Sequence, residues 1–367
     1  MRRRLRGWRA TGAFIGGLAA TLTVGPGHAT DATRLSIQAD CRLTMRVIGI
    51  ARTTLAATAG LSNRGKVAGT AGPGVAALWR ARQGVGQLGT LGGGTSRALA
   101  VNDRGRAVGE SAVTPGGDSR HAFVWVPGGP LGGAIGDLGT LGGASSTARA
   151  INNQHRIVGD SQTVAGITHA FFWSDRTGMI DIDQVGSADS AAHAINDGNR
   201  VVGRYAGALG PRAFLWTADA GMRDLGTLGG GTAVAADINN RGRVVGTSTL
   251  AGGGTRAFLW TERQGMQDLG TLGGDSGANA INRFGEVVGQ FATADAATEA
   301  FVWNRRCGMI NLNGALGGTS GVLLSRAIDI NDRGRILAED ADGSGYLLIP
   351  QAPPPPAPPA DTGDDGT

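Results

Sequence analysis

Five polar side chains stand where a repeating chain otherwise carries small or aliphatic residues, and they are the groups best placed to do chemistry. Asp237 and Asp329 replace alanine two positions before a recurrent asparagine, and Arg149, His193 and Asn279 come one position earlier, where other copies have Ala59, Leu99, Ala236 or Ile328. Two carboxylates, an imidazole and a guanidinium brought into one cleft could act as general acid, general base and anion clamp on a glycosidic or lactone bond. Spread around a channel, the same groups would pair with one another and with channel water, since structural networks also gather charges. Other motifs carry less. His121 and His169 share a register but lie in separate copies, too far apart for a shared metal, and His155 falls at a turn. D-I-N-N-R-G at 237–242 and D-I-N-D-R-G at 329–334 resemble the opening of a calcium loop, yet Arg241 and Arg333 sit where its fifth-position ligand belongs. The G-T-L-G-G segments resemble phosphate nests, but neither a helix nor Lys-Ser/Thr follows them. No metal and no cofactor is expected.

The elements that must position these groups follow from a repeat. One polar residue recurs as Ser62, Asn102, Asn152, Asn196, Asn239, Asn282 and Asn331, at spacings of 40, 50, 44, 43, 43 and 49. An aliphatic residue precedes it each time, and Thr58 or an alanine stands four positions before it, which marks a strand in a crowded place. Three residues after it comes Gly65, Gly105, His155, Asn199, Gly242, Gly285 or Gly334. A three-residue hairpin loop needs positive φ there, which glycine adopts freely and Asn or His tolerate, so His155 reads as backbone chemistry. A second strand follows, then a third with the pairs Phe123/Trp125, Phe171/Trp173, Phe214/Trp216, Phe258/Trp260 and Phe301/Trp303 on one face and alanines on the other. A fourth, such as Met222–Leu225, runs into the glycine-rich crossing.

Four short strands in some 43 residues is the period of a β-propeller blade. The last copy ends after its third strand, while Met45 lies 17 residues before Ser62, as Met222 lies 17 before Asn239, so the missing fourth strand stands at the N-terminus. The sequence therefore predicts an all-β fold: one propeller of seven four-stranded blades, closed by the N-terminal strand pairing in the last blade. A β-solenoid would need no such complementary ends. D-L-G-T-L-G-G at 137–143, 224–230 and 268–274, A-I-N-x-x-G-x-V-V-G at 280–289 and the triplets His121-Ala122-Phe123 and His169-Ala170-Phe171 resemble the HAF-repeat family of extracellular proteins over roughly residues 45–349. In later copies Arg212, Arg256 and Glu299 replace the histidine. The resemblance implies export and no known reaction, so no catalytic residue carries over.

Composition sets the compartment. The opening 29 residues have an arginine-rich start, an apolar stretch and small residues Gly27 and Ala29, which reads as a cleaved signal peptide at 1–29. The rest divides into a lead-in at 30–44, the propeller at 45–350 and a proline-rich disordered tail at 351–367. Without the five arginines of the leader, 29 basic side chains face 29 acidic ones, so net charge gives no reason to expect nucleic acid as a partner. No membrane span is expected once the leader is gone. An exported chain can oxidise Cys41 and Cys307, which fall at third turns of neighbouring blades, although spacing alone cannot pair them. Charge placement says more than its total. The first turns carry Arg64, Lys66, Arg104, Arg106, Arg241, Arg243, Arg333 and Arg335, so one end of the disc should be basic. The expectation is a secreted or periplasmic, monomeric, non-catalytic binding module for an extracellular macromolecule or glycan, with an anionic glycan or acidic protein meeting that face. The competing expectation is an enzyme on glycans or lactones using Asp237, Asp329, His193 and Arg149, and a third is a surface module with the tail as spacer.

Overall fold

The alternation of small and large residues along short segments punctuated by Gly and Asn leaves strands as the only regular structure these residues can form. A computed structural model describes residues 41, 43–50, 55, 57–128, 133–316 and 321–351. The leader at 1–29, most of the lead-in and the tail beyond Gln351 lie outside the described residues. Within them run 28 strands, β1 to β28 in chain order, and one short 3-10 turn at Asn313–Leu316. The strands form seven four-stranded antiparallel sheets arranged as the blades of a propeller. No helix among the described residues is long and apolar enough to cross a membrane. Strands a to d run outward in each blade, and blades 1 to 6 take consecutive strands.

Blade 7 takes strands from both ends of the chain. Its order is β26 (Leu324–Ile330), β27 (Ile336–Asp340), β28 (Gly345–Pro350) and β1 (Met45–Ile50). β1 pairs antiparallel with β28 from Met45↔Pro350 to Ile50↔Gly345, as the offset of the repeat requires. Tyr346 occupies the place of the phenylalanine in this blade and Leu348 that of the tryptophan, since Leu348 faces Ile336 as Trp303 faces Val287.

The core lies between blades. Phe258 and Trp260 of blade 5 pack against Val202, Ala213, Leu215 and Leu225 of blade 4, and Phe301 packs against Val245, Ala257 and Leu259 in the next interface. Phe123, Phe171, Phe214, Phe258 and Phe301 are 0% exposed, so each contributes about 2–3 kcal/mol of burial. The glycine of the A-V-G, I-V-G and V-V-G segments of strand b is set by sterics. Strand a carries a bulge, and a Cβ on Gly109, Gly159 or Gly246 would fall within 2.0 Å of a strand-a carbonyl oxygen. Serines fasten the G-T-L-G-G crossing: Ser146 accepts from Ala122 N–H of the preceding blade and donates to Gly139 O, while Ser161 accepts from Leu141 N–H. In two blades the crossing's last glycines join strand a, which begins at Gly142 or Gly229.

Candidate functional site

The a–b turns surround the mouth of the central channel, and each is built by the residue that defined the repeat. Asn102 Oδ1 accepts the N–H of Arg106, closing its own turn, while its Nδ2 donates to Asn152 O of the next blade at 3.0 Å. The same reach runs from Asn152 to Asn196, Asn196 to Asn239, Asn239 to Asn282, Asn282 to Asn331, and Asn331 to the Ser62 carbonyl. An amide is required because it accepts and donates at opposite ends of a short side chain. The third residue after it has positive φ in every blade, including His155 at 65° and Asn199 at 57°. His155 is thus placed by its backbone. Its ring accepts a hydrogen bond from Arg104 at 3.2 Å, and burial and the nearby Arg106 and Arg104 hold its pKa below the usual value.

A second ring went unread in the sequence. The residue after each asparagine (Asn63, Asp103, Asn153, Asp197, Asn240, Arg283 and Asp332) lines a cavity of about 220 Å³ at the channel mouth. Asp103 Oδ1 accepts from Asn63 N, Asn153 Oδ1 from Asp103 N, Asp197 Oδ1 from Asn153 N and Asn240 Oδ1 from Asp197 N. Asp332 and Asn63 extend the chain of bonds, through Asp332 Oδ1 to Arg283 N and Asn63 Oδ1 to Asp332 N. Six of the seven are Asp or Asn, a regularity visible in the sequence as the position after A-I-N. Apart from Arg283, the mouth itself is therefore amide and carboxylate.

Deeper in the channel the five polar side chains are kept apart, each on its own partner. Asp237 Oδ2 accepts Ile281 N–H and Oδ1 accepts Ile238 N–H, at 2.8 and 2.7 Å. Asp329 repeats this with Leu61 N–H and Ile330 N–H, both at 2.7 Å. Burial pushes Asp237 up to about 6, and burial together with the Asp237 charge pushes Asp329 up to about 7. His193 Nδ1 donates to Ala235 O at 2.8 Å, and burial pushes its pKa down to about 4. Asn279 Nδ2 donates to Ala327 O at 2.8 Å, and Arg149 pairs with Asp160 of the neighbouring strand. Asp237, Asp329, His193 and Asn279 each bridge to the next blade. None of the five bonds to another, and the expected pairing among them is replaced by bonds to backbone, to Asp160 and, from Asn279, to Gln290 Oε1.

The basic residues divide into two sets. The fifth turn residue lies over the next blade's turn: Lys66 Nζ against Gly105, Arg243 against Gly285, Arg335 against Gly65. Burial, with Arg80 and Arg64 nearby, lowers the Lys66 pKa. The third residue points outward, and Arg64, Arg104, Arg241 and Arg333 are exposed. On the outer strands, His121 and His169 do not meet. His121 Nδ1 pairs with Asp137 at 2.8 Å and His169 Nδ1 with Asp181 at 2.7 Å, so the triplet's histidine serves the aspartate of D-L-G or its counterpart in its own blade. Arg212 keeps the pair with Asp224, and in blade 6 the roles are exchanged, Glu299 accepting from Asn311. Among the described residues no group of three or more His, Cys, Asp or Glu side chains could hold a metal ion.

Cys41 and Cys307 form a disulfide with Cα atoms 5.5 Å apart, joining the lead-in of β1 to the c–d turn of blade 6. No family model matches the chain, and no curated protein matches it. Among solved structures the chain is similar to a catalytically inactive virginiamycin B lyase from Staphylococcus aureus determined with quinupristin, at 9% identity and a TM-score of 0.55 over 84% of this chain and 99% of that one. It is also similar to TolB from Acinetobacter baumannii (12% identity, TM-score 0.42, covering 63% of this chain), of whose length it spans 60%. A gluconolactonase from Xanthomonas campestris matches 89% of this chain and 94% of its own at 10% identity and a TM-score of 0.40. At 9% identity the likeness to the lyase is one of fold alone.

Proposed function

We propose that this chain is an exported, non-catalytic propeller that binds an acidic polysaccharide at the face formed by its a–b turns. One observation carries the reading. None of the ten ion pairs among the described residues uses an a–b turn residue. Arg64, Arg241 and Arg333 project from that face, exposed and with no carboxylate partner among the described residues. Other arginines do find acids, as Arg97 and Arg120 find Glu110 and Arg212 finds Asp224. Unmatched cations on a rigid rim attract polyanions, and the attraction is screened beyond about 8 Å at physiological salt. The binding reading is also favoured because the channel groups an enzyme would need are each engaged between strands or blades. Export is supported by the arginine-rich leader and by the Cys41–Cys307 disulfide, and membership of the HAF-repeat family by the quoted motifs.

Calorimetric titration with sodium polygalacturonate tests this. Affinity is expected to fall steeply between 20 and about 300 mM salt, and by at least about tenfold when Arg64, Arg241 and Arg333 are together changed to Glu. Unchanged affinity in the triple variant, with an unchanged melting temperature, would refute the proposal.

A further inference from the structure

The clefts between neighbouring blades are filled differently, and cavities remain beside Trp125, where Gly86 takes the place of a long side chain, and beside Trp303. Between blades 4 and 5 the Arg223 guanidinium lies over the Trp260 ring, 5.2 Å from its centroid, and Glu262 holds it there at 2.7 and 2.8 Å. Trp260 is only 5% exposed. Between blades 3 and 4 Phe172 packs on Trp216, with centroids 5.6 Å apart. Between blades 5 and 6 the register puts Gln267 in the place of Arg223, Trp303 in that of Trp260 and Arg305 in that of Glu262. The stacked cation and its anchor are both gone. A cavity of about 350 Å³ remains, and Trp303 is half-buried. Trp173 is half-buried too, but there an acid, Asp175, stands where Arg305 stands.

The lining of the open cleft selects a chemistry. The Gln264 and Gln267 side chains make no hydrogen bond among the described residues, and Arg305 is exposed at the rim. Arg243 lies along the wall against Gly285. The one carboxylate in the lining, Glu286, is 9% exposed and accepts from Asn282 Nδ2. A cation would suit an indole but would meet Arg243 and Arg305. A pyranose offers C–H groups to an indole, vicinal hydroxyls to amides and, when oxidised at C6, a carboxylate to a guanidinium. The volume falls near the low end of small-ligand pockets, which suits one or two sugar rings.

We propose that this cleft is a subsite for a uronic acid residue, with Trp303 as platform, Gln264 and Gln267 as hydroxyl partners and Arg305 as carboxylate partner. It deepens the acidic-polysaccharide reading and rests on it. The test titrates the purified full chain with a galacturonic acid trisaccharide, by calorimetry and tryptophan fluorescence. Trp303→Ala and Arg305→Glu are each expected to lower affinity at least about tenfold, and maltotriose, which lacks carboxylates, to bind at least as much more weakly. Arg305 is exposed, so its variant keeps the wild-type melting temperature even if Trp303→Ala does not. Affinity unchanged in both variants, no binding of the trisaccharide, or a triglutamate peptide binding as tightly would each overturn the proposal. The Arg64, Arg241 and Arg333 triple variant should keep its trisaccharide affinity while losing the polymer. Failure at the cleft and failure of the rim are therefore read separately.

Discussion

Asp237 and Asp329 sit at the channel like an acid–base pair, yet each spends both oxygens on backbone N–H groups, one of them in the next blade. Their chemistry shows in stability. Both carboxyls titrate higher in the fold than in the unfolded chain, at about 6 and about 7 against 3.8, so the fold holds extra protons that it loses as pH rises through those values. His193 works the other way: at about 4 against 6.5 it is neutral when folded, and its contribution is lost as pH falls. His155, also depressed, acts in the same sense. Two carboxyls outweigh the imidazoles, so stability should decline from about pH 4.5 to 7, each proton changing the slope by up to about 1.4 kcal/mol per pH unit. Calorimetric melts should show Asp329→Asn flattening that decline and His193→Asn, which copies Asn279, steepening it. Identical slopes in all three proteins would show that these groups do not titrate as described.

At the scale of the element, the asparagine that ends strand a is a joint between blades. Asn196 satisfies the N–H groups of Gly198 and Arg200 and the Asn239 carbonyl, so Asn196→Ala should cost about 2–3 kcal/mol in urea unfolding. The ring has one short member. Ser62 accepts from Lys66 N–H, but among the described residues blade 1 sends no side-chain bond to the Asn102 carbonyl. Ser62→Asn is expected to complete the circuit and stabilise by about 1 kcal/mol, raising the melting temperature by a few degrees. A lowered melting temperature would mean that blade 1 is not spaced as the others are. The outer strands follow a parallel rule, in which the residue before Ala-Phe and the strand-d residue that faces the phenylalanine form a side-chain pair: His with Asp, Arg with Asp, Glu with Asn.

At the scale of the molecule, the ring is closed by β1 on β28 and again by the disulfide, which spans 266 residues. A cross-link over so long a loop restricts the unfolded chain most, by about 4 kcal/mol or more in the entropic account. Cys307→Ser, or reduction before a scanning melt, is expected to lower the melting temperature by several degrees. No change on reduction would show that pairing of β1 suffices to close the ring. The same closure fixes where the seven a–b turns stand relative to one another, which the proposed cationic rim requires.

The sequence by itself determined the blade, the number of blades and the offset that shares the last one between both termini, because a period-2 pattern of large and small faces, repeated every 43 residues or so, has few ways to bury itself. It also determined the turn at His155, since only a few residue types accept that backbone. The channel groups were legible as deviations and not as partners. Asp237 and Ile281 are 44 residues apart, and His193 and Ala235 are 42, so only the curvature of the closed ring decides that they meet. The open cleft at Trp303 was hidden for the same reason: its consequence depends on Gln267 from another blade, and only packing shows that a cation present in one interface is missing from the next.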